Sequence, residues 1–170
     1  MKADEFQTKT KFSPDRVYRY SLIRAWDDYS LWRSSDPRPY AMFIGLNPST
    51  ADEVQDDPTV RRCIGYAKAW GHGALVMTNI FGYRSTDPKR MLAAADPVGP
   101  ENDKTLQRLA AGAGVVIAAW GVHGTHRGRG DQVRRMIPKL HFLKLTKDGH
   151  PAHPLYLKKD LIPVPFPGSG

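Results

Sequence analysis

Ala41-Met42-Phe43-Ile44-Gly45-Leu46-Asn47-Pro48-Ser49 is the stretch that decides the fold. Its apolar residues follow one another without alternation, which marks a strand buried on both faces. Such strands belong to parallel sheets covered by helices. Pro48 forbids continuation of the strand. Asn47 therefore places a side-chain amide at the carboxyl end, where open α/β sheets carry their chemistry. Asn-Pro also initiates ordinary turns, so this amide alone leaves a purely structural role open.

Working outward, residues 40–46 are the first of four apolar runs; the others are 74–78, 115–120 and 140–145. Helical patterns separate them. Asp57-Pro58-Thr59 opens one, running to about Trp70, where Gly71 and Gly73 stop it. Residues 101–111 form a second, with Leu106, Leu109 and Ala110 on one face, and residues 131–137 a third, ended by Pro138. Strand–helix alternation implies right-handed crossovers. The expected fold is α/β, a three-layer α/β/α sandwich around a four-stranded, mainly parallel sheet. Residues 17–26 alternate loosely and lead into it as a strand or hairpin, and Asp36-Pro37-Arg38-Pro39 reads as a turn. The expected organisation is a flexible arm over 1–16, one domain over 17–162, and a loose Pro/Gly-rich tail over 163–170.

With 170 residues, 41% of them hydrophobic, the chain can build one real core. No apolar run is long enough to span a bilayer, and the first ten residues lack a signal-peptide core. The expectation is a cytoplasmic monomer with no membrane partner. Cys63 is the only cysteine, which excludes an internal disulfide and a four-cysteine metal site. The net charge of +8 favours a polyanionic partner such as DNA, duplex or single-stranded. Arg127, Arg129, Arg134 and Arg135 form the densest basic cluster, read either as a phosphate-facing patch or as a solvated helix face.

In a parallel sheet the strand ends gather along one edge. That edge collects Asn47, Asn79, the run Trp120-Gly121-Val122-His123, and residues 146–156 with Lys147, His150, His153, Leu155 and Tyr156. Amides carry donor and acceptor on one plane and suit a nucleobase edge; aromatics suit its face. No Asp or Glu stands at the strand tips, which argues against metal-dependent hydrolysis there. His123, His126 and His150 are too irregularly spaced for a zinc site. No metal and no cofactor is expected. Asp52, Asp56 and Asp57 read either as a general-base or metal group or, for Asp56 and Asp57, as a cap on the following helix. Arg84 and Ser85 read as phosphate ligands, or Ser85 or Asp87 as a helix cap before Pro88.

This constellation resembles the uracil-DNA glycosylase superfamily. Gly45-Leu46-Asn47-Pro48 resembles its first motif, residues 115–123 the strand before its last helix, and Leu143-Lys144 with His153-Pro154-Leu155 its second motif. More narrowly, the chain resembles a bacterial and phage family of unknown function. The marks are Asn47-Pro48-Ser49-Thr50-Ala51, Asp56-Asp57-Pro58-Thr59, residues 79–88 and His153-Pro154-Leu155-Tyr156. Two departures stand out: Ser49 replaces a Gly, and His150-Pro151-Ala152 precede His153, so either imidazole fits the motif, with His153 preferred because Pro154-Leu155 follows it.

The resemblance implies a monofunctional DNA glycosylase acting on a flipped, modified or mismatched pyrimidine. Asn47 and His153 would be catalytic, positioning water and holding the leaving base. Asn79, Gly45, Leu46, Pro48 and Phe81 would contact the base, with Phe81, Tyr83 or Trp120 stacking on it; Asn79 reads equally as a loop cap, and Trp120 reads as core sooner than as a stacking ring. Ser49, Arg84, Ser85, Arg127, Arg129, Lys147, Leu155 and Tyr156 would contact DNA, Leu155 as the wedge. The alternative is a nucleic-acid or nucleotide binding module on the same fold without base excision.

Overall fold

β3 (Tyr40–Gly45) sits at the centre of the sheet, pairing in parallel with β4 (Ala74–Asn79) on one side and β5 (Val115–Ala118) on the other. β6 (Leu140–Phe142) pairs in parallel with β5, so the four apolar runs make a parallel core in the order β4-β3-β5-β6. The computed structural model describes residues 8–26, 29, 38–49, 51 and 55–167. Asp52 and the Asp36-Pro37 half of the expected turn lie outside them.

The sheet is wider than the sequence implied. Among the described residues it has seven strands, because antiparallel strands flank the parallel four. β2 (Arg19–Ala25) pairs with β4, and β1 (Thr8–Phe12) pairs with β2. At the other edge β7 (Val164–Pro165) pairs with β6. Two boundaries are corrected accordingly. Part of the expected arm is strand β1, and part of the expected tail is strand β7, held by Phe166 packed on Phe142 at 4.8 Å between ring centroids.

The period of two along β3 sorts the core into two faces. Ala41 and Phe43 pack with Val60, Cys63, Tyr66 and Ala67 of α1 (Pro58–Ala69). Met42 and Ile44 pack on the other face with Met91 of α2 (Pro88–Ala93), Leu106 of α3 (Asn102–Gly112) and Val133 of α4 (Arg129–Met136). β3 is buried on both faces, which explains its unbroken apolar run. Full burial of each large side chain contributes about 1.5–3 kcal/mol. Among the described residues no helix is long and apolar enough to cross a membrane.

α1 starts as its sequence indicates. Asp57 is the N-cap, its Oδ1 accepting from the Val60 N–H at 2.8 Å, with Pro58 in the first turn. Gly65 lies inside this continuous helix on its exposed side, and a Cβ there would meet nothing within 4 Å. Gly65→Ala is therefore expected to stabilise the protein by about 0.5–1 kcal/mol. Chemical denaturation measures this; a destabilised variant would show that the position is not open.

Candidate functional site

The crossover from β3 leads to β4 on one side, and the chain then returns past β3 to β5. This reversal opens a crevice at the carboxyl ends of the strands, where open α/β sheets bind ligands. A pocket of about 230 Å³ fills it, a volume suited to a single ring rather than a larger ligand. Gly45 at the end of β3 and Leu46, Asn47, Pro48 and Ser49 of the loop beyond it line it, with Asn79 at the end of β4, Ser85 further on, Asp57 at the start of α1, and His153.

Backbone hydrogen bonds join the loops after β3 and β4. The N–H groups of Ile80, Phe81 and Ser85 donate to the carbonyls of Gly45, Leu46 and Pro48 at 2.9–3.0 Å. Asn47 completes this clasp. Its Nδ2 donates to the carbonyls of Ser85 at 2.9 Å, Pro48 at 3.3 Å and Tyr83 at 3.4 Å. With the nitrogen committed to the backbone, Oδ1 is the half of the amide left for a ligand or water.

Asn79 ends β4 and is 4% exposed. Its Nδ2 is buried and has no hydrogen-bond partner among the described residues, an arrangement that costs about 1–3 kcal/mol unless something fills it. Gly45 makes room for this amide: a Cβ at that position would come within 2.9 Å of Asn79 Oδ1. Asn102, buried at the start of α3, fixes the strand end by donating through Nδ2 to the carbonyls of Asn79 (2.9 Å) and Ile80 (3.1 Å).

His153 opens a 3₁₀ turn, Pro154–Tyr156, and its Nδ1 accepts from the Leu155 N–H at 3.2 Å. The neutral ring therefore carries its proton on Nε2. Desolvation lowers the pKa of His153 below its ordinary 6.5, and the Asp57 carboxylate acts in the opposite direction. Asp57 also accepts from Ser49 Oγ at 3.1 Å through Oδ2.

A titration follows from this geometry. The folded state binds fewer protons at His153 than the unfolded chain, so His153 favours folding above pH 6.5 and loses that contribution as pH falls through its folded pKa. NMR titration should place its midpoint below 6.5, and Asp57→Asn, which keeps a good N-cap, should lower it further. An upward shift in that variant would mean Asp57 does not act on the ring.

The structure brings Asn47, Asn79, His153, Gly45, Leu46, Pro48, Ser49 and Ser85 to one pocket. Other expected site residues lie elsewhere. Phe81 is 0% exposed in the core, against the His126 ring, because the residues after β4 turn inward toward α3 and α4. Trp120 is core, the role its apolar character favoured, and Tyr83 packs edge-on to Tyr18. Among the described residues no Phe, Tyr or Trp lines the pocket; its apolar walls are Leu46, Pro48, Val60, Met77, Pro88, Ala119 and Pro154, and His153 is its only aromatic ring. Arg84 donates to the Arg16 carbonyl and lies 4.6 Å over the Phe12 ring. Arg127 donates to the carbonyls of Ala94 and Ala95.

Arg129 is not a DNA contact. It is 1% exposed and ion-paired to Asp103 at 2.6 Å, with Nε donating to the Ile80 carbonyl at 2.8 Å. Lys147 is exposed in the turn after β6 and does not line the pocket. His150 lines a separate hollow beside Trp120 and Arg134, which leaves His153 as the imidazole at the strand tips. Leu155 is half-buried beside it, and Tyr156 is 93% exposed.

Sequence reasoning missed Arg19 and Asn102. Arg19 lines the pocket from β2 while 3% exposed, its Nη1 donating to the Ala51 carbonyl at 2.8 Å. Among the described residues no three His, Cys, Asp or Glu side chains gather as a metal site.

A family model matches residues 19–155, from the start of β2 to the turn after His153, and its description is a protein of unknown function, DUF1643. No curated protein and no solved structure matches the chain.

Proposed function

The chain belongs to the DUF1643 family, whose description assigns no activity, and from the site itself we propose a DNA glycosylase. Its substrate is a flipped, modified or mismatched pyrimidine, and its fold is of the uracil-DNA glycosylase kind. One observation carries the reading: three polar groups with different hydrogen-bonding tasks meet in one base-sized pocket. Asn47 offers an acceptor, Asn79 a buried donor without a partner, and His153 an imidazole whose Nδ1 is already engaged.

The chemistry uses each group once. Asn47 Oδ1 accepts from a water and aims its oxygen at the sugar carbon; it works by position, since an amide is a poor base. The bond between that carbon and the base nitrogen breaks with its electron pair leaving on the base, the water oxygen bonds to the carbon in its place, and the proton the water gives up is taken by the departed base. His153 Nε2–H donates to the base as negative charge develops, in the manner of an oxyanion hole. Asn79 Nδ2 donates to a carbonyl on the base edge and so distinguishes one pyrimidine from another.

The absence of a Phe, Tyr or Trp wall among the described residues, which leaves the His153 imidazole as the one ring there, favours a second reading, a module that binds a nucleotide without excising its base. Oligonucleotides carrying a panel of uracil and modified pyrimidines, assayed for alkali-labile abasic sites, decide between the two. Abasic product supports the glycosylase. Binding without product supports the module.

A further inference from the structure

A second concavity runs along the outer side of α1, between that helix and the chain after His153. Arg61, Arg62, Gly65, Tyr66, Ala69 and Lys159 line it, with a volume of about 350 Å³. Three of the six carry positive charge and none is acidic. The neighbouring acid Asp56 is already paired, its Oδ1 2.8 Å from Arg24 Nε. Asp160 follows Lys159 and is outnumbered.

The groove is held in shape. Tyr66 Oη donates to the Lys158 carbonyl at 2.5 Å, and Trp70 Nε1 to the Leu161 carbonyl at 3.0 Å, fixing the far wall against the helix. Arg62 lies over the Tyr66 ring, 5.4 Å from its centroid, and its Nε is buried without a hydrogen-bond partner. Gly65 is the second, independent observation. Glycine weakens a helix interior, yet no packing neighbour requires one here, since a Cβ would meet open space. The missing side chain lets another backbone approach the helix.

Arg61 lies four residues beyond Asp57 of the strand-tip pocket, about 6 Å along the axis at ~1.5 Å per residue. The groove continues to Ala69, about 12 Å further along the axis at ~1.5 Å per residue. Tyr156, 93% exposed, stands on the turn that joins pocket to groove and offers a ring for stacking.

We propose that this groove carries the phosphodiester backbone of the nucleic-acid strand whose nucleotide enters the pocket. The proposal rests on the glycosylase reading for the identity of that nucleotide and on the groove alone for the strand's path. It moves the phosphate track from the arginines near α4 to α1.

The test is fluorescence anisotropy of a labelled oligothymidylate across a salt series. Arg62→Glu with Lys159→Glu should lower affinity at least tenfold at low salt. It should also lower the log–log salt slope by about 1.4, at ~0.7 per phosphate contact on a single strand. Gly65→Gln fills the groove with a residue that favours helix; it should weaken binding severalfold while its melting temperature does not fall. Lys104→Glu with Arg135→Glu, exposed on the opposite layer, makes the same change in net charge and should leave binding within twofold. Groove variants that bind like the wild type would overturn the proposal. So would a control pair that loses as much, polyglutamate that displaces the probe as well as unlabelled DNA, or a wild type that binds no oligonucleotide. Base excision is scored separately: excision with undiminished binding by the groove variants removes the groove and keeps the glycosylase, and groove-dependent binding without excision does the reverse.

Discussion

His153→Ala is expected to leave a folded protein whose base excision falls about 10²–10³-fold, the usual loss of one donor to developing charge. His153 keeps part of its surface in water even though desolvation of the ring is enough to lower its pKa, and among the described residues its side chain makes one hydrogen bond, accepted from the Leu155 N–H, so little of the fold rests on it. Asn47→Ala should match that loss, at about 10²-fold or more, for a different reason. Its Nδ2 ties three carbonyls of two loops, so this variant should also be less stable, by about 1–3 kcal/mol. Single-turnover rates on the best panel substrate, measured beside denaturation curves, separate the two effects. Full activity in Asn47→Ala would remove its water-positioning role and pass that task to Asp57.

The largest stability effect should come from Arg129→Ala, at about 3–4 kcal/mol. The guanidinium fills core space, pairs with Asp103 and satisfies the buried Ile80 carbonyl. Asp103 is 48% exposed and re-enters water when its partner is lost, which keeps the cost toward the low end for a broken buried pair. Arg127→Ala, two residues away and exposed, should change stability by less than ~0.5 kcal/mol. Equal effects from the two in urea denaturation would contradict the burial of Arg129.

The contrast between these arginines shows what sequence can carry. Arg127, Arg129, Arg134 and Arg135 look alike as charges. Spacing separates them: Arg129, Val133 and Ile137 recur every four residues and share one helix face, and Val133 and Ile137 are core. Reading that face would have placed Arg129 inside. The parallel core was legible because strands buried on both faces need unbroken apolar runs. β1 was not, because Thr8-Lys9-Thr10-Lys11 reads as solvated chain, nor was β7, which has two residues.

At the site, the strand-tip rule found Asn47 and Asn79, because a polar residue ending an apolar run stands out locally. Asn102 and Arg19 gave no such signal. One looks like an ordinary polar helix start and the other like a charged residue in a loosely alternating segment. Only the long-range fold shows that Asn102 meets the β4 carbonyls and that Arg19 faces the pocket.

The two outer strands have a consequence for association. A parallel sheet ending on open hydrogen-bonding groups invites another strand to add itself. Here β1 presents exposed Lys9 and Lys11, and an approaching strand would have to desolvate that charge. At the opposite border Pro165 supplies no N–H to a ladder and keeps β7 to two residues. The four apolar strands are thus bordered by segments that resist the addition of a further strand.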